Sequence, residues 1–127
     1  MSEMVHPLGR ARGHGSARSG VQHWLAQRIS ALLLLFLIPW LSYALICNAG
    51  AAYAEAVAFV SRPWNASLLV LSLLVLLYHS MLGLQVVIED YVHQRALELV
   101  LHFIVRAGTL LVAVTGVVHI LKLAPGA

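Results

Sequence analysis

The chain has 127 residues, 61% of them hydrophobic and 10% charged, with a formal net charge of +3. A soluble domain of this size has too much surface relative to volume to bury so much apolar side chain, so composition excludes a free-standing globular enzyme and indicates a membrane protein. With one cysteine, Cys47, and no CxxC motif, an internal disulfide, iron–sulfur clusters, zinc fingers and covalently attached haem are all unsupported.

Residues 1–23 are polar, Gly-rich and Arg-bearing, and they lack the apolar core and small-residue cleavage site of a secretory signal peptide. They read as a cytoplasmic arm that orders against a partner. Three apolar stretches follow, at about 24–47, 67–88 and 97–121. Each has the length of roughly 20 residues that a helix needs to cross a hydrocarbon core. The expected fold is an all-α membrane protein with three transmembrane helices in a single domain over 1–127, and soluble catalytic machinery must come from partner chains. Arg10, Arg12 and Arg18 precede the first span, Arg28 stands at its start and Arg95 follows the second, against Arg62 and Lys122 on the other side. The positive-inside rule then places the N-terminus and the second loop in the cytoplasm, or in a mitochondrial matrix, and the C-terminus outside. Nothing in the chain indicates nucleic acid as a partner.

The first span, "ALLLLFLIPWLSYALIC", carries only a proline, Pro39, which removes one backbone hydrogen bond. In the following loop, "AGAAYAEAVAFVSRPWN" suggests a short interfacial helix, with Tyr53 and Trp64 as aromatic anchors. The second span gathers Ser72, His79, Gly83, Val86 and Asp90 on one face of an ideal helix. The third does the same with His102, Arg106, Thr109, Ala113 and Gly116, a stripe suited to close helix packing.

His79 lies about nine residues, or roughly 13 Å, from the cytoplasmic end of its span. A ring at that depth needs either a hydrogen-bond partner on another helix or a metal, and position alone leaves both open. Gly83, one turn along the same face, leaves room for a flat macrocycle, and neutral imidazole is a common axial ligand of haem iron. Asp90 and Tyr91 sit about 16 Å farther along the axis, at the interface. They are either an ordinary helix end with an aromatic-belt residue or a phenol donor and a carboxylate for a quinone, which takes up two protons on reduction.

The stretch "HSMLGLQVVIEDYVH" from His79 to His93 resembles the H-x3-G-x6-D-Y signature of the hydrophobic membrane-anchor subunits of succinate dehydrogenase, respiratory complex II. "GSARSGVQHWLAQRISAL" is similar to the N-terminal stretch of the same family. Length and the three-span layout extend the resemblance over nearly the whole chain. The resemblance implies that His79 is one axial ligand of a haem b whose second ligand comes from a companion cytochrome b subunit. It implies that Arg28 meets a haem propionate, a role suited to a guanidinium. It further implies that Tyr91 hydrogen-bonds ubiquinone and that Asp90 tunes that phenol or delivers protons. His23 is a further propionate candidate, since some members have a histidine one position earlier, where this chain has Gln22. Arg106 matches no pattern, and its depth requires an anionic or polar partner.

The function so implied is the membrane anchor of succinate:ubiquinone oxidoreductase in a bacterial inner membrane. It would hold the flavoprotein and iron–sulfur subunits, share haem b and help build the ubiquinone-reduction site. The anchor of a quinol:fumarate reductase is a rival from the same chemistry, although the histidine and the Asp-Tyr pair favour succinate oxidation. A haem-free structural or assembly protein is the rival from another class.

Overall fold

Long apolar runs in a membrane must satisfy every backbone polar group internally, and the chain answers with helices throughout. The computed structural model describes residues 18–124, so the arm as far as residue 17, with Arg10 and Arg12, lies outside the described residues. Four helices follow in order: α1 (Arg18–Asn48), α2 (Tyr53–Val60), α3 (Pro63–Tyr91) and α4 (Arg95–Leu123). Three of them, α1, α3 and α4, are long and apolar enough to cross a membrane.

Each long helix outruns its apolar stretch. Helix α1 begins at Arg18, inside the segment read as an arm. Hydropathy marks where the hydrocarbon ends, whereas the hydrogen-bond ladder continues until a cap or a breaker stops it. Pro63 opens α3 at the first helical position, where its missing N–H would have had no partner anyway. The expected short helix between the first two spans is α2. Its start is secured by the Glu55 carboxylate, which accepts the Ala52 N–H at 3.2 Å.

Helix α3 is the middle element and packs against both α1 and α4. On α1 the less exposed positions include His23, Gln27, Ser30, Leu34, Leu37, Leu41, Ala44 and Asn48. Their alternating steps of four and three form the seam of a left-handed helix pair. Against α4, Leu73 of α3 seats on Gly116, where an added Cβ would stand 2.5 Å from Leu73 Cδ2. The α4 stripe is thus partly realised: His102, Thr109, Ala113 and Gly116 are half-buried, whereas Arg106 is exposed. At the far end Ser61, just after α2, donates its hydroxyl to the Leu123 carbonyl at 2.7 Å, tying that loop to the end of α4.

Candidate functional site

The N-terminal part of α1, the C-terminal part of α3 and the middle of α4 enclose a cavity of about 630 Å³. Helix α1 contributes Gly20, His23, Trp24, Gln27 and Arg28; α3 contributes Gly83, Gln85, Val86 and Glu89; α4 contributes Arg106. One carboxylate therefore faces two guanidiniums, and the cavity suits an anion. Arg28 is steadied by Trp24, its Cζ 5.6 Å from the ring centroid, a cation–π distance. Among the described residues neither Arg28 nor Arg106 has a carboxylate in salt-bridge range.

Two cavity-lining side chains bring buried polar atoms that have no hydrogen-bond partner among the described residues, His23 Nε2 and Gln27 Oε1. Such atoms are costly unless something satisfies them. Gly83 differs in kind from Gly116. A Cβ on Gly83 would meet Gln27 Nε2 at 3.8 Å, an ordinary contact, so helix packing does not demand a glycine there. Its missing side chain widens the cavity instead.

His79 lies one turn before Gly83 on α3 and does not line the cavity. Its ring turns toward α1, with Nδ1 2.9 Å from Ser30 Oγ. Ser30 is 3% exposed, and its hydroxyl also donates to the Gln27 carbonyl at 3.0 Å. The interhelical partner that the depth of His79 requires is therefore a serine on the seam of α1.

Asp90 and Tyr91 lie at the exposed end of α3, outside the cavity, with Tyr91 78% exposed. Their neighbour Glu89 is the carboxylate that reaches the cavity, and its Oε1 lies 3.9 Å from Nε2 of His102 on α4. The structure thus brings together Arg28, Gly83, His23 and Arg106, and sets His79 beside them through the Ser30–Gln27 link. Sequence reasoning missed Ser30, Gln27, Gln85 and Glu89. The four–three spacing of His23, Gln27 and Ser30 was the available signal for two of them.

Comparison with known proteins bears on the whole chain. The family described as succinate dehydrogenase/fumarate reductase transmembrane subunit matches residues 3–121. A succinate dehydrogenase hydrophobic membrane anchor subunit of Rickettsia bellii is 37% identical over 111 residues, 87% of this chain and 89% of the relative. The protein of that name from Rickettsia conorii is 34% identical, over 86% of this chain and 87% of the relative. The one from Paracoccus denitrificans is 31% identical, over 68% of this chain and 67% of the relative. No solved structure matches the chain significantly. A helical membrane fold with three spans and a family match over nearly its full length lead to one conclusion: the chain belongs to the succinate dehydrogenase/fumarate reductase transmembrane subunit family.

Proposed function

We propose that the chain is the membrane-anchor subunit of a succinate:ubiquinone oxidoreductase in a bacterial inner membrane, with its N-terminus in the cytoplasm. It holds the flavoprotein and iron–sulfur subunits on the membrane, shares one haem b with a cytochrome b subunit, and contributes to the ubiquinone-reduction site. The names of its relatives support the first part. For the haem, the supporting observation is the His79 ring, half-buried within the span with Nδ1 engaged by Ser30 and no hydrogen-bond partner on Nε2 among the described residues. A nitrogen left free in this way suits an axial ligand.

The cavity fits the edge of a macrocycle. Gly83 supplies room, Arg28 and Arg106 supply cations for propionates, and the unpartnered atoms of His23 and Gln27 supply further polar contacts. When bound, the haem supplies a one-electron redox centre. The chain's own residues then have distinct tasks. His79 Nε2 would hold the iron through its lone pair, and Arg28 would neutralise a propionate. Tyr91 donates its phenol proton to a hydrogen bond with a quinone carbonyl, and Asp90 delivers protons beside it. Both stand at the exposed end of α3, a position that partner subunits would cover to complete the site. The chain is not an enzyme by itself, since flavin and clusters reside in its partners.

The test is a reduced-minus-oxidised visible spectrum of the complex, isolated with its partners in mild detergent, for the native chain and for His79→Ala. Loss of the dithionite-reducible b-type band in the variant is the expected result. An unchanged band would overturn the ligand assignment.

A further inference from the structure

We infer that Ser30 is a positioning residue for His79: it accepts the ring's Nδ1–H, holds the imidazole in one tautomer and orientation, and so sets how strongly Nε2 donates to the iron. The inference rests on His79 being the haem ligand, as proposed above.

A serine hydroxyl has one hydrogen to donate and two lone pairs with which to accept. Two polar atoms lie within hydrogen-bond distance of Ser30 Oγ, the Gln27 carbonyl oxygen at 3.0 Å and His79 Nδ1 at 2.9 Å. A carbonyl oxygen only accepts, so the hydroxyl proton must go to Gln27 for that contact to be a hydrogen bond. The contact to His79 is then satisfied only by Nδ1–H donating to an Oγ lone pair. With the opposite assignment, the hydroxyl donating to Nδ1, lone pairs of Ser30 and of the Gln27 carbonyl would face each other at 3.0 Å. Ser30 is 3% exposed, so no outside donor is at hand to relieve that arrangement. A neutral imidazole protonated on Nδ1 carries its free lone pair on Nε2, which has no hydrogen-bond partner among the described residues.

Metal-bound histidines almost always donate their second ring N–H to an acceptor, which fixes the tautomer and raises the basicity of the ligating nitrogen. Ser30 is that acceptor on α1. It stands two residues beyond Arg28, so one stretch of helix carries both the propionate cation and the support for the ligand. A hydroxyl accepts more weakly than a carboxylate, leaving the ring a moderate donor. Removing the acceptor makes Nε2 less basic, stabilises the ferric haem less and raises the midpoint potential.

The test is a redox titration of the haem in the assembled complex for Ser30→Ala, Ser30→Thr and Ser30→Val, with haem content per complex measured alongside. Threonine and valine have the same shape and differ in the hydroxyl, so that pair decides the matter even if Ser30→Ala fails to assemble. The expected result is a potential near the native value for Ser30→Thr and an upward shift for Ser30→Ala and Ser30→Val. Potentials that coincide for Ser30→Thr and Ser30→Val would overturn the inference. The reading on which it rests fails separately, through a native complex without haem or a His79→Ala variant that keeps it.

Discussion

Leu73 of α3 packs its side chain into the space that a side chain on Gly116 of α4 would occupy, with a Cβ there only 2.5 Å from Leu73 Cδ2. Close approach through a small residue is how membrane helices gain packing without a hydrophobic driving force. Gly116→Ala forces the Leu73 tip aside and Gly116→Val forces the helices apart, so the expected cost is about 1–3 kcal/mol and larger for valine. Thermal unfolding of the purified complex, read at α4 by a site-specific probe, checks the order. Combining Leu73→Ala with Gly116→Ala recovers part of the loss.

Arg106 lies in the middle of α4, deep in a span, and shares a cavity with Arg28. At an effective dielectric constant of about 20, a guanidinium about 8 Å from an anion contributes about 2 kcal/mol. Arg106→Gln therefore lowers haem retention by about tenfold or more under detergent challenge, whereas Arg106→Lys keeps most of it. Haem content per complex after extended washing is the measurement. Equal retention in both variants and the native chain would refute the role.

Tyr91 stands 78% exposed at the end of α3. Tyr91→Phe is expected to leave assembly and the haem spectrum unchanged and to slow succinate-driven ubiquinone reduction by about tenfold, the worth of one hydrogen bond to a reacting group. Succinate oxidation by a soluble artificial acceptor, which bypasses the quinone, should remain at the native rate.

Glu89 pairs only loosely with His102, at 3.9 Å, and its side chain is 59% exposed. Exposed pairs of this kind contribute little, so Glu89→Gln changes stability by less than about 1 kcal/mol. It also removes the carboxylate that lines the cavity among the described residues, so tighter haem retention than in the native chain is expected. Retention and thermal midpoint measured on one preparation separate the two effects.

The three crossings are legible in the sequence because uninterrupted apolar runs of that length have few other homes, and α2 is legible because an Ala-rich segment lies between turn residues. The helix ends are not. Residues such as Gln22 and His23 are polar enough to leave the hydrocarbon yet still helical, so α1 starts at Arg18, earlier than hydropathy suggests. The α1 seam is hidden for a different reason. Where Leu34, Leu37 and Leu41 are flanked by equally apolar neighbours, no periodicity marks the packed face. The Ser30–His79 contact spans 49 positions and depends on how α1 and α3 pack, which no local pattern encodes. The ideal-helix stripe and the motif both single out Asp90 and pass over Glu89. Which of two adjacent carboxylates reaches the cavity is set by helix rotation, and Glu89 is the one that does.

The central position of α3 bears on how the chain is made. Each long helix packs chiefly against the one synthesised next to it, α1 with α3 and α3 with α4. Insertion can therefore proceed in the order of translation, with no span waiting for a distant one. The Ser30–His79 bond and the Arg28 and Gly83 walls of the cavity are all supplied by the first 91 residues. A nascent chain that has inserted only its first two spans already carries two of the three walls of the cavity, and the last span adds Arg106 and closes it from the third side.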